Sequence, residues 1–258
     1  MKLWEQAPGL CEETPAIHYY KPTSSAGTGA VVILPGGGYC NRASHEGEGY
    51  ATCLAAAGVH AFVVDYRVAP HRYPLPQLDA RRAVRFVRAH AAEYGIDKQK
   101  VAVMGSSAGG HLAASIATCT EPISFEGLDS LDVESAVPDA QILCYPVICP
   151  PSYPFCHTGS YENLLGGHDV EKEETVNPVS HVSAATPPAF IWHTFDDSSV
   201  DVRNSLTYAT ALREAGVSVE MHVFPHGYHG LGLAQSDTHV HQWVNLLLNW
   251  LRLNGWLE

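Results

Sequence analysis

Between residues 101 and 117 three kinds of sequence follow one another. First comes an apolar run, Val101-Ala102-Val103-Met104. Then come five small residues, Gly105-Ser106-Ser107-Ala108-Gly109, and then a helix-compatible stretch from His111 to Ala117. Strand, sharp turn and helix leave few ways to fold. The five residues fit Gly-x-Ser-x-Gly, and in that context the turn holds its central serine in a strained conformation above the sheet. The small flanking residues let the backbone turn without side-chain clashes. Spacing makes Ser107 the central residue and Ser106 the variable one.

The rest of the chain repeats the alternation. Ala30–Leu34 reads as a short buried strand ending at Pro35 and three glycines. Tyr50–Ala57 suits a helix ended by Gly58, and His60–Tyr66 a second strand. From Leu78 to Ala92, Ala80, Ala83, Val84, Val87 and Ala91 recur at helical spacing, with Arg81, Arg82, Arg85 and Arg88 predicted to form a solvated opposite face. Ala140–Tyr145 and Ala189–Thr194 read as strands, and Ser205–Ala215 as a helix stopped at Gly216. Ser218–Phe224 alternates like a strand near the sheet edge, and Val240 to Leu251 forms a helical stripe. Repeated strand-then-helix units predict an α/β fold, a mostly parallel central sheet flanked by helices on both faces. With 258 residues and no internal repeat or flexible linker, 1–258 reads as one domain. The stretch 146–188 has no clear period and is rich in Pro, Ser, Gly and acidic residues. It is expected to run as a loop excursion over the C-terminal edge of the sheet, where such folds place ligands.

The formal net charge of −12 argues against nucleic acid or an anionic membrane as the main partner. Seven cysteines, Cys11, Cys40, Cys53, Cys119, Cys144, Cys149 and Cys156, form no C-x-x-C pair. Their odd number suggests neither a disulfide framework nor a zinc site, and fits a reducing compartment. The N-terminus lacks an apolar signal core, and no run of 18 apolar residues occurs, so a cytoplasmic location is expected. Nothing in the sequence excludes a homo-oligomer.

A serine hydroxyl needs an adjacent base, and the base needs a carboxylate to orient it. Past the strand ending at Thr194 lie Asp196 and Asp197; past the strand ending at Phe224 lie His226 and His229. Spacing alone leaves both pairs open. His111, on the helix after the turn, is expected to pack or hydrogen bond beside the sheet. His239 and His241 lie two apart at a helix start, a spacing that offers little for a metal. Donors for a developing oxyanion are expected from the backbone N–H of Ala108 and from the turn Gly36-Gly37-Gly38.

Taken together, these blocks resemble the α/β-hydrolase superfamily. They lie close to the hormone-sensitive-lipase-like esterases and, more narrowly, to small bacterial carbohydrate acetylesterases of the acetyl xylan esterase-like kind. The resemblance rests on Leu34-Pro35-Gly36-Gly37-Gly38-Tyr39, His45-Glu46-Gly47-Glu48, Asp65 to Pro70, Gly105 to Leu112, Ser160 to Gly166, Pro187 to Thr194 and His229-Gly230-Leu231-Gly232-Leu233. In two places the chain departs from that pattern. Pro35 stands where related lipases carry His, and Val200 is followed by Asp201, a third carboxylate, where the group has Val-Pro. The resemblance implies Ser107 as nucleophile, His229 as base and Asp197 as its carboxylate, with Gly37, Gly38 and Ala108 in the oxyanion hole. Tyr39 is then expected either to line the acyl or sugar side or to pack. The implied activity is removal of acetyl groups from sugars or xylo-oligosaccharides, with no cofactor or metal and an acetylated saccharide as partner. A general short-chain esterase or an arylformamidase-like amidase is the alternative, and a non-catalytic ligand-binding relative a third.

Overall fold

The computed structural model describes residues 1–9, 14–23, 27–123 and 130–257. Among them run seven strands: β1 (Ala16–Tyr20), β2 (Ala30–Leu34), β3 (His60–Asp65), β4 (Val101–Ser106), β5 (Ala140–Cys144), β6 (Ala189–Thr194) and β7 (Val219–Phe224). They form one sheet in the order β1-β3-β2-β4-β5-β6-β7, parallel except for β1, which pairs antiparallel with β3. Eight helices accompany them: α1 (Ser44–Ala56), α2 (Leu75–Ala89), α3 (Ala91–Tyr94), α4 (Ser107–Thr118), α5 (Thr158–Leu165), α6 (Val170–Thr175), α7 (Arg203–Glu214) and α8 (Gln242–Leu253).

Strand residues alternate between the two faces of a sheet. Ala30, Val32 and Leu34 of β2 and Val101 and Val103 of β4 enter one core cluster. There they meet Leu78, Val84 and Val87 of α2, Leu112 and Ile116 of α4, and Tyr208 and Leu212 of α7. Val31 and Ile33 of β2 and Ala102 and Met104 of β4 enter the other cluster, against Tyr50 and Leu54 of α1 and Trp243, Leu247 and Leu251 of α8. Both faces are therefore covered, which is why β2 and β4 to β6 read as unbroken apolar runs and not as alternating ones. The two outer strands, β1 and β7, keep half-exposed patterns, as their edge positions require.

Two local readings change. The α1 helix begins at Ser44, six residues before the predicted start at Tyr50. Its first turn is polar and glycine-bearing, so it lacks an apolar stripe. The turn is instead tied down by Glu46, whose carboxylate accepts the N–H of Gly36. The arginines of α2 are not a solvated face: Arg81, Arg82 and Arg88 are buried. They donate to backbone carbonyls. Arg82 reaches Leu3, Arg81 reaches Glu121, and Arg88 reaches Ser135 and Val137. The chain folds its N-terminal segment and the stretch after α4 over that face, so the guanidinium groups satisfy irregular backbone that no helix or strand would satisfy.

A buried ion pair anchors the N-terminal segment. Arg67 forms a two-point pair with Asp79, and the indole N–H of Trp4 donates to the same carboxylate at 2.8 Å. The six described cysteines are free thiols; Cys11 lies outside the described residues. No helix among the described residues is long and apolar enough to cross a membrane.

Candidate active site

The turn between β4 and α4 carries Ser107 at φ 51°, a left-handed conformation that a side chain rarely adopts. The glycines around it are demanded by close approach. A Cβ on Gly105 would strike the carbonyl of Gly109, and one on Gly109 would strike that of Leu34. The turn therefore sits directly on the neighbouring strand. Ser107 is left 7% exposed, its hydroxyl donating to His229 Nε2 at 2.8 Å.

His229 comes from the loop after β7. Its Nδ1 donates to Asp197 Oδ2 at 2.7 Å. Asp197, in the loop after β6, has a fully buried carboxylate. Its Oδ1 accepts the N–H groups of Ser199 and Val200, both at 2.9 Å. A second imidazole, His193, faces Oδ2 at 3.3 Å and the carbonyl of Val200 at 2.9 Å through Nε2. Both of those atoms are acceptors, so His193 carries its proton on Nε2 and accepts from Ser205 Oγ at Nδ1. Burial pushes the Asp197 carboxyl upward. Hydrogen bonds from His193 and His229, and from the Val200 N–H, outweigh it and hold the group well below the ordinary carboxylate range.

The paired alternatives sort themselves by contact. Asp196 and His226 bind each other at 2.9 Å, both exposed, and Asp196 also accepts the N–H of Gly227. They clip the β6 and β7 loops together on the outside. Asp201 pairs with Arg203 at 2.6 Å. His241 reaches the Leu233 carbonyl and His239 lies against Phe224. Among the described residues no cluster of side chains has the composition to hold a metal ion.

Above Ser107 runs the glycine turn. Gly37 and Gly38 have φ of 133° and 61°, and a Cβ on Gly37 would collide with Asn41. The Gly36 N–H is taken by Glu46. The N–H groups of Gly37, Gly38 and Ala108 have no partner among the described residues. Unpaired backbone donors beside a serine hydroxyl are what a developing oxyanion requires.

Tyr39 does not line this opening. It is 1% exposed and its hydroxyl donates to His111 Nδ1 at 2.7 Å. Its backbone at φ 58° turns the ring inward against Tyr66. His111 in turn donates from Nε2 to the Val176 carbonyl at 3.0 Å, and burial lowers its pKa to about 4. The expectation of a substrate-lining Tyr39 is therefore corrected to a packing role: its hydroxyl finds its partner inside the fold.

Sequence reasoning missed a buried group beneath His229. Tyr145, just past β5 at φ 37°, donates to Glu46 Oε1 at 2.6 Å and accepts the N–H of Gly232 at 3.0 Å. Its ring meets the His229 imidazole edge-on, centroids 5.0 Å apart. Tyr50 adds a hydrogen bond at 3.1 Å and reaches Ser106 Oγ at 3.0 Å. Glu46 belongs to a block singled out in the sequence, but nothing there signals that its carboxylate is buried. The 146–188 stretch also departs from a plain loop, since it carries α5 and α6. Asn163 of α5 donates to the Gly38 carbonyl at 2.8 Å, and the Val147 N–H donates to that of Ser107 at 3.0 Å.

The chain belongs to the α/β-hydrolase fold family, whose model matches residues 31–233. Its relatives sharpen the picture. It is 40% identical to endo-1,4-beta-xylanase B of Butyrivibrio fibrisolvens over 80% of this chain and 33% of that protein. It is 33% identical to an acetylxylan esterase of Xylanibacter ruminicola over 86% of this chain and 45% of that one. The chain thus spans a third to just under half the length of these two relatives. Among solved structures, it superposes on an acetyl ester-xyloside bifunctional hydrolase from Caldicellulosiruptor lactoaceticus with a TM-score of 0.94 and 41% identity, covering 100% of this chain and 97% of that one.

Proposed function

We propose that the protein is a serine carboxylesterase that removes acetyl groups from sugars or short xylo-oligosaccharides. The observation that carries this reading is the continuous line Ser107 Oγ, His229, Asp197, with links of 2.8 and 2.7 Å. The similarity to an acetylxylan esterase and to an acetyl ester-xyloside hydrolase supports the acetyl-sugar substrate class.

In this reading Ser107 Oγ attacks the acetyl carbonyl while His229 Nε2 takes its proton. Asp197 holds the tautomer that leaves Nε2 free to accept, and stabilises the imidazolium. The N–H groups of Gly37, Gly38 and Ala108 receive the oxyanion. The C–O bond to the sugar breaks, and His229 returns the proton to the departing sugar oxygen. Water, deprotonated by His229, then releases acetate and restores Ser107. Every proton is supplied by the chain, the substrate or water.

The test is hydrolysis of acetylated xylo-oligosaccharides beside p-nitrophenyl acetate, butyrate and octanoate. Acetyl esters are expected to be preferred, and Ser107→Ala is expected to lose on the order of 10⁵ or more in kcat. Full activity in Ser107→Ala would end the mechanism. A preference for octanoate would end the acetyl-sugar assignment alone.

A further inference from the structure

We infer that His157 is a hydroxyl-recognising residue of this site, donating from Nε2 to an oxygen adjacent to the ester in the leaving alcohol. The inference rests on the reading of Ser107 and His229 as the reacting pair, and it adds a residue that fixes which alcohols are released.

His157 stands at the N-terminus of α5, half-buried, in the 146–188 stretch. Its Nδ1 accepts the backbone N–H of Ser160 at 3.3 Å and contacts Ser160 Oγ at 2.9 Å. A backbone N–H can only donate, so Nδ1 is an acceptor and the ring's proton sits on Nε2. That Nε2–H has no partner among the described residues. The same helix rests on the oxyanion loop. Asn163 donates to the Gly38 carbonyl at 2.8 Å, and Ser160 Oγ is 3.9 Å from where a Cβ on Gly38 would stand. His157 is also close enough to His229 and Asp197 for their charges to act on it. Burial first, and then the charge of His229, lower its pKa, against its own backbone and the charge of Asp197, which raise it. An imidazole whose Nδ1 is occupied at the helix cap is therefore held on the helix that rests on the glycine turn, with Nε2 left to donate.

Such a donor distinguishes alcohols that carry a neighbouring oxygen from those that do not. A sugar hydroxyl or ring oxygen beside the esterified carbon would accept from Nε2. A simple alkyl group would leave the N–H unpaired and desolvated, at the cost of a hydrogen bond. The tautomer is set by the helix cap itself, so recognition requires no rearrangement when the alcohol arrives.

A pair of nearly isosteric esters tests this without any sugar. In 2-hydroxyethyl acetate and propyl acetate the leaving groups differ by a hydroxyl in place of a methyl. The wild type is expected to favour the hydroxyl ester in kcat/KM by about tenfold, one neutral hydrogen bond. In His157→Asn, where the shorter amide keeps the cap acceptor for the Ser160 N–H but withdraws the donor, the ratio is expected to fall to about one. His157→Gln, whose longer amide again carries an N–H, is expected to restore part of it. A wild-type ratio near one, or a ratio unchanged in His157→Asn, overturns the inference; so does an equal fall for both esters, which marks a purely structural cap. If the ratio responds to His157 but acetylated xylo-oligosaccharides are not hydrolysed, the sugar assignment fails and the recognition stands. If those oligosaccharides are hydrolysed and the ratio ignores His157, the reverse holds.

Discussion

Replacing Asp197 by Asn changes one atom of the side chain and inverts the hydrogen-bond logic around it. The native carboxylate accepts from four donors: His229 Nδ1, His193 Nε2, and the N–H groups of Ser199 and Val200. They divide two and two, so whichever end of an asparagine amide carries the NH₂, it faces two donors. With the NH₂ at the Oδ2 position, His229 can keep a hydrogen bond only by moving its proton to Nε2 and accepting at Nδ1. Nε2–H then faces Ser107 Oγ and cannot take its proton. With the NH₂ at the Oδ1 position, the N–H groups of Ser199 and Val200 lose their acceptor, and the buried Val200 N–H alone costs about 1–3 kcal/mol. The first arrangement is therefore expected to win, and kcat to fall by about 10⁴, equivalent to about 5 kcal/mol of barrier. The assay is steady-state hydrolysis of p-nitrophenyl acetate, with thermal unfolding run alongside to establish that the variant is folded. Asp196→Asn is the companion, because its partner His226 is exposed and makes no contact with Ser107; it is expected to change kcat by less than about tenfold. If folded Asp197→Asn kept kcat within tenfold of wild type, or if Asp196→Asn lost as much, the reasoning would be refuted.

Two further expectations concern stability. His111 has a folded pKa of about 4 against an ordinary value of 6.5, so the unfolded chain binds the extra proton first on acidification. Its contribution is complete above pH 6.5 and is lost as pH falls to about 4, on the order of 3 kcal/mol in all; chemical denaturation at pH 7, 5.5 and 4.5 should show a decline that is shallower in His111→Gln. Asp79→Ala leaves Arg67 charged and buried, and is expected to cost about 3–5 kcal/mol, read as a lowered denaturation midpoint with unchanged slope.

The parts of the fold legible in the sequence are those where one local signal decides the outcome. β2, β4, β5 and β6 are buried on both faces, so their apolar runs are unmistakable, and each matches its strand to within two residues. The strand β1 escaped because Ala16–Tyr20 is an outer, half-exposed strand with a histidine and two tyrosines, held by pairing with β3 that lies more than forty residues away. The arginines of α2 misled for a related reason. Charge spacing identified a helix face opposite the core, but what covers that face comes from residues 3, 121, 135 and 137, which no helical period can reveal. At the site, motif and chain order brought Ser107, Asp197 and His229 into view through their family blocks, and the structure places them in hydrogen-bond contact. His193, Glu46 and Tyr145 were invisible as a group, because each acts through a partner between four and ninety-nine residues away. Tyr39 stayed open between lining and packing because a side chain after a glycine turn can point either way, and only the waiting His111 nitrogen decides it.

The Glu46 carboxylate has one further consequence. One oxygen holds the Gly36 N–H, at the start of the turn that carries the unpaired donors; the other holds the hydroxyl of Tyr145, which accepts from Gly232 and whose ring meets that of His229 edge-on. Chain segments nearly two hundred residues apart are thus gauged from a single side chain a few ångströms across. The separation between His229 and the glycine turn does not accumulate the play of five strands and their loops. It is set locally, like two instruments zeroed on the same mark. Movements of the outer sheet, or of the exposed clip between Asp196 and His226, can leave that spacing untouched.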